Sequence, residues 1–127
     1  MPVDPSAYPP DWPEISRRIR FERAECRCEC RGECGHKHPG GRCNAPHGET
    51  VFRSRAAPWL WRAKPCEDCY PVRIILTTAH LDHDRQNSDE ANLRALCQFC
   101  HLNHDRLHRA ALERQRALES GQMEFEF

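Results

Sequence analysis

Two stretches hold the residue types that could do chemistry. They are "ILTTAHLDHD", residues 75–84, and "ANLRALCQFCHLNHD", residues 91–105. His80 and Asp82 are alternate positions, so an extended backbone would point both the same way. His101 and Asp105 are four apart and would share one face of a helix, with His104 near it. A strand end and a helix start can then each offer an imidazole and an oxygen. That is enough for an open divalent-metal site with one imidazole left as a base. The chemistry it suits is phosphodiester hydrolysis, in which a metal polarises the phosphoryl oxygen and neutralises charge. A neutral imidazole can take a proton from water near pH 7. Taken singly, each histidine also reads as a surface hydrogen-bond partner. The cysteines beside them strengthen the functional reading.

The chain has nine cysteines. Cys66-x-x-Cys69 and Cys97-x-x-Cys100 form two knuckles, and two such pairs commonly close on one tetrahedral Zn²⁺. Four thiolates leave no open position, so such a site holds structure and does no chemistry. The alternative is a redox dithiol or free thiols. An earlier cluster holds Cys26, Cys28, Cys30, Cys34 and Cys43 with His36, His38 and His47. Cys30, Cys34, Cys43 and His47 would make a second structural zinc site, with Cys28 able to replace Cys30 or His47. Part of this cluster could instead join Cys97 and Cys100 in place of Cys66 and Cys69. Spacing leaves that open.

Bulk properties agree with metal staples. A chain of 127 residues suggests one small domain, and 39% hydrophobic against 30% charged content suggests a modest core. Small chains of this kind often add disulfides or metal. The odd cysteine count does not suit a purely disulfide framework. The opening "MPVDPSAYPP" has neither a basic nor an apolar signal region. No run approaches the roughly 18 apolar residues of a membrane span. These features lead us to expect a cytoplasmic protein with reduced, metal-binding thiols. The formal net charge of +0 neither supports nor excludes a nucleic-acid partner.

The elements that must position these residues read as follows. Residues 1–25 are a Pro-rich arm and a helix, "DWPEISRRIRFERA". Asp11 and Glu14 fit a capping box, Pro13 suits the first turn, and Trp12, Ile15 and Ile19 should face the core. Residues 26–48 are a Cys/His-rich loop without apolar periodicity, which a cross-link must hold. Residues 49–65 are a connector carrying Trp59 and Trp61. In residues 66–120, Val72–Thr78 is β-branched and reads as a strand. A turn-rich loop follows it, then a helix from about Phe99 to Glu119 with Leu107, Ala111 and Leu118 on one face. Gly121 ends that helix, and residues 121–127 are a tail.

At "TAHLDHD", "ANLRALC" and "CQFCHLNHD" the chain resembles an HNH endonuclease of the ββα-metal (His-Me finger) class. The order and spacing match, with His80, Asn92 and His101 as the name-giving residues. The opening "YPPDWPEISRRIRFERA" resembles the start of small HNH proteins of phages and bacterial genomes. "CECRGECG" and "GRCNAPHG" resemble a zinc-binding elaboration found in part of that group. The resemblance implies that His80 is the general base, that Asn92 braces its loop, and that His101 binds the catalytic ion. It also implies the cytoplasm of a bacterial or phage-infected cell. There is one departure. Many such enzymes have an Asp or His ligand directly before the base, where this chain has Ala79. Asp82 and Asp105 are the candidate replacements. Reading His83 as the base would restore an Asp–His step but shortens the span to Asn92.

The resulting expectation is a small α+β protein: a ββα-metal nuclease unit, an N-terminal helix and a zinc-stabilised Cys-rich loop. It would hydrolyse DNA with a divalent ion (Mg²⁺, Mn²⁺, Ni²⁺ or Zn²⁺) and carry one or two structural Zn²⁺. Arg17, Arg18, Arg20, Arg23, Arg106 and Arg109 would grip phosphates. Each also reads as part of a solvated helix face. Trp59 and Trp61 could stack on bases or pack against the zinc-held core. The alternative function is a catalytically weak or inactive zinc-stabilised nucleic-acid-binding module, which Ala79 favours. A thiol redox protein is a third option.

Overall fold

The structure, a computed structural model, describes residues 8–121. The Pro-rich opening up to Ala7 and the "QMEFEF" tail lie outside the described residues. The fold is a small α+β arrangement with two short antiparallel sheets and two helices.

Helix α1 spans Trp12–Arg17 and continues as a wider π-type turn over Arg18–Arg23. Pro13 sits in the first turn as expected. Asp11 makes no side-chain cap, so the capping box does not form; its backbone carbonyl accepts from Glu14 and Ile15 instead. Ile19 is buried, and Trp12 and Ile15 pack against the core. The helix is tied to the strand that carries His80 by Ser16 Oγ and Thr78 Oγ1, 2.8 Å apart.

Residues 26–48 fold back on themselves as a narrow ladder. Cys28 N–H donates to Ala45 O, Asn44 N–H to Cys28 O, and Cys43 N–H to Cys30 O. The connector expected at 49–65 contains strand β1, Thr50–Ser54, and the short β2, Trp61–Arg62. These pair with β3, Cys69–Arg73, in the order β2-β1-β3. The single strand expected over Val72–Thr78 is thus two. β3 ends at Arg73, and β4, Leu76–His80, belongs to the other sheet. The break falls at Ile74, which is fully buried between the sheets while Ile75 faces solvent. Alternation resumes in a new register.

Strand β4 pairs antiparallel with β5, Leu93–Cys97, setting His80 opposite Leu93 and Leu76 opposite Cys97. The chain then enters α2, Gln98–Glu119, directly. Its N-terminal turn is anchored by the buried Cys100; most of the remainder is exposed. The apolar face expected from Leu107, Ala111 and Leu118 does not meet a core: Leu107 is 50% exposed and Ala111 faces solvent. Leu107 does reach Gly35, at which an added Cβ would come within 3.1 Å of Leu107 Cδ1. Gly35 has φ +90, a left-handed backbone that favours glycine, and Leu107 would have to shift slightly to admit a side chain there. Gly121 terminates α2 as expected, with φ +73 and its N–H bonded to Leu118 O.

The core is built largely of sulfur. Among the described residues, six of the sixteen buried apolar ones are cysteines, and the rest are Ile, Leu, Val and Ala. So few aliphatic side chains leave the cysteine cluster to hold the loop, β5 and α2 together.

Candidate active site and cysteine clusters

His80 is the last residue of β4, where both strand pairing and the docked α1 fix its backbone. Its ring is stacked on Trp12 at 4.7 Å and is 7% exposed. Its Nε2 is buried with no hydrogen-bond partner among the described residues. His101 and Asp105 lie one turn apart at the start of α2, His101 Nε2 being 3.7 Å from Asp105 Oδ2. His101 Nδ1 is hydrogen-bonded to Thr77 Oγ1 on β4, which fixes the ring across the strand–helix junction. All three residues line one open cavity of about 480 Å³, with Ala79, His83, His108 and Arg109 also on its wall. The sheet and helix therefore bring the predicted imidazoles and one predicted carboxylate together.

Burial pushes the His80 imidazole below its ordinary pKa, against the pull of Asp82 and Asp84. Burial does the same to His101, opposed by Asp105. Both therefore favour the neutral form at pH 7, the form that can accept a proton or ligate a cation. His83, the alternative base, is already engaged. Its Nε2 is 3.3 Å from Asp105 Oδ1, and its ring stacks on His108 at 3.7 Å and on His104 at 4.4 Å. It also has φ +61, a left-handed backbone uncommon outside glycine, though histidine is among the residues that adopt it more readily.

Asp82 does not stand beside His80 on an extended backbone. The chain turns after β4, with His83 N–H donating to His80 O. The Asp82 carboxylate is turned into the following loop. It accepts from Asn92 Nδ2 at 2.9 Å, from Asn87 Nδ2 at 2.8 Å and from Asp84 N–H at 2.9 Å. It is not among the cavity-lining residues. The expectation that Asp82 supplies a metal oxygen is corrected accordingly: both of its oxygens brace the loop. Asn92 completes that brace, accepting from Asp82 N–H at Oδ1 and donating to Asn87 O. The bond from Asn87, with those from Asp84 and Asn92, holds the Asp82 carboxyl down at about 2.

The cysteines group differently from the paired-knuckle expectation. Cys66 and Cys69 are joined to each other as a disulfide at the start of β3. Strand pairing sets Cys69 opposite Ser54, in the sheet that does not contain Cys97. Cys97 and Cys100 are met by Cys28 and Cys43 from the loop ladder, the alternative that spacing left open. A second group is Cys30, Cys34, His38 and again Cys100. Both groups are fully buried, and in each the donor atoms lie within 4.8 Å of one another, an arrangement able to hold a metal ion. His47, expected as a ligand, belongs to neither. Its Nδ1 accepts from Leu76 N–H at 3.0 Å, and its ring meets Phe21 edge-on. His38 takes that role. The signal was visible in its spacing four residues after Cys34, but His47 has the same spacing after Cys43 and only the fold separates them.

Contacts among the sulfurs split the cluster, favouring the thiolate at Cys97 and Cys30 and the thiol at Cys100. Cys28, Cys30, Cys34 and Cys43 around Cys100, together with burial, push its thiol far up. The nearest fixed positive charge is the buried Arg53, whose Nη2 donates to Cys97 Sγ at 3.3 Å. Sequence reading missed Arg53, which looks like one more exposed connector arginine until β1 is recognised.

The arginines divide. Arg23 donates to Glu29, to Glu90 O and to Leu93 O, tying α1 to β5. Arg18 pairs with Glu90 at 2.9 Å. Arg20 donates to Ser16 O and lies over Phe21. All three make contacts within the protein, while Arg18 and Arg23 stay exposed at its surface. Arg17, Arg106 and Arg109 are exposed, and only Arg109 borders the cavity. Trp61 donates its indole N–H to Cys43 O at 2.7 Å and Trp59 stacks on His36 at 4.2 Å. Both tryptophans pack against the cysteine-rich loop. Among the described residues no helix is long and apolar enough to cross a membrane. Comparison with known proteins finds no matching family model, no similar curated protein and no similar solved structure.

Proposed function

We propose that this protein is a metal-dependent endonuclease of the HNH type, acting on DNA phosphodiester bonds. The observation that carries the reading is the convergence of His80, His101 and Asp105 on one open cavity. His80 comes from β4, and His101 and Asp105 come from α2 after the return strand β5, the order expected of a ββα-metal unit.

In this reading His80 accepts the proton of the attacking water. Its rigid strand end and ring stack hold it in place, and its depressed pKa keeps it neutral. His101 and Asp105 are the groups that would hold a divalent ion, which when bound would polarise the scissile phosphate and neutralise its charge. One imidazole and one carboxylate suit an ion that keeps water and phosphate in its remaining positions. Arg109 and Arg106 would contact the DNA backbone. Asn92, through Asp82, positions the loop that follows the base.

A second reading is a nucleic-acid-binding module without catalysis. Ala79 favours it, because that buried position carries no ligand immediately before His80. Nicking of supercoiled plasmid by the zinc-loaded protein, with and without added divalent ion, separates the two. Metal-dependent nicking that His80→Ala abolishes supports the nuclease. Plasmid binding without cleavage in any divalent ion supports the module.

A further inference from the structure

The two cysteine groups share one residue. Cys100 belongs both to the set with Cys28, Cys43 and Cys97 and to the set with Cys30, Cys34 and His38. We propose that these seven side chains form a single binuclear zinc centre in which the Cys100 thiolate bridges the two ions. This inference is independent of the nuclease reading.

The geometry fits closely. A tetrahedral Zn²⁺ with Zn–S near 2.3 Å and Zn–N near 2.0 Å sets its nitrogen and sulfur ligands about 3.5 Å apart. His38 Nε2 lies 3.4 Å from Cys34 Sγ and 3.7 Å from Cys100 Sγ. Each ion thereby reaches four ligands, and with no position open both are structural. None of the seven donors is exposed, and none of the six sulfurs is in a disulfide. Separate mononuclear sites would need eight ligands, and the buried clusters offer seven.

Charge fits as well. On loading, six thiols each lose a proton to solvent. Six thiolates around two divalent ions leave two negative charges in the interior. Arg53, 2% exposed, places its guanidinium on Cys97 Sγ and offsets part of that excess. The backbone N–H of Cys97 donates to Cys28 Sγ at 3.3 Å, as it would to a thiolate. The centre is a staple between three parts of the chain: the loop ladder, the end of β5 and the first turn of α2. Cys100 is followed at once by His101, so the same centre sets the backbone of the cavity wall.

The experiment is metal analysis of the full-length protein by native mass spectrometry, joined to X-ray absorption at the zinc edge. We expect two zinc ions per chain, sulfur-dominated coordination and a metal–metal scattering shell. His38→Ala should weaken one ion and leave the other. Cys100→Ser should lower occupancy of both, whereas the double variant Cys66→Ser, Cys69→Ser should keep two. One zinc per chain in the wild type, or two without a metal–metal shell, would overturn the bridge. Because that readout uses the wild type, it stands even where the Cys100 variant does not fold.

Discussion

Asn92 and Asp82, on opposite sides of the loop after β4, exchange two hydrogen bonds: Asn92 Nδ2 donates to Asp82 Oδ1 at 2.9 Å and Asp82 N–H donates to Asn92 Oδ1 at 3.1 Å. Leu81 N–H adds a bond to Asn92 O. The amide closes the loop at the point where the chain leaves His80. Asn92→Ala should therefore loosen the loop and release Asp82. The Asp82 pKa should rise from about 2 toward the ordinary carboxylate range. Since the folded value is the lower one, this group adds stability above the ordinary carboxylate pKa and loses it as pH falls toward 2. Carbon-detected NMR titration of the Asp82 carboxyl checks it; an unchanged titration would mean that Asn92 does not brace the loop.

Protonation of His80 should be costly. Its folded pKa lies below the ordinary value because the ring is buried against Trp12, with Tyr8, Asp82, Asp84, Arg85 and His101 around it. A histidine with a lowered folded pKa binds fewer protons folded than unfolded, so stability rises with pH in that window. The contribution is complete above about 6.5 and erodes as pH falls below it. Thermal unfolding of wild type and His80→Phe across pH 5 to 8 measures this. The wild type should lose more stability on acidification than the variant; parallel curves would contradict it.

Arg23 and Arg109 should behave oppositely. Arg23→Ala removes bonds from α1 to Glu29 and to the β5 carbonyl of Leu93, and should cost about 1–3 kcal/mol of stability. It should leave the salt dependence of DNA binding unchanged. Arg109→Ala should leave stability within about 0.5 kcal/mol and lower the slope of log affinity against log salt by about one phosphate contact. Denaturant melts and binding isotherms at several salt concentrations test both.

Much of this was legible in the sequence. The two helices, strand structure leading into His80, and the shared face of His101 and Asp105 follow from local pattern and spacing. The β-branched run did not show where β4 starts, because Ile74 and Ile75 read as one stretch while only Ile74 is buried. The cysteine grouping was not legible. Two CxxC pairs are equivalent as sequence, and pairing of β3 with β1 carries one pair away from the other. Asp82 likewise looks like a ligand until the turn after His80 redirects it. Arg23 looks like a phosphate contact until Glu29 and Leu93 lie against it. In each case a partner outside the residue's own strand or helix decides a role that its local pattern leaves ambiguous.

Leu107 against Gly35 gives a test of how α2 is held to the cysteine loop. Gly35→Ala imposes a strained backbone and crowds Leu107 Cδ1 at 3.1 Å. It should destabilise by about 1–3 kcal/mol and increase thiol reactivity of the loop cysteines. Unchanged melting and thiol titration would show that the contact does not matter.

The most direct test of the central claim is single-turnover nicking of supercoiled plasmid by zinc-loaded wild type and His80→Ala, as divalent ion and pH are varied. Nicking should depend on the ion, and its rate should rise through a midpoint below the ordinary imidazole pKa. His80→Ala should lose roughly 10²- to 10⁴-fold in rate with zinc content and DNA affinity retained. His101→Ala and Asp105→Ala should raise the ion concentration required. Nicking that survives in His80→Ala at the wild-type rate, or no cleavage by the wild type in any divalent ion, would contradict it.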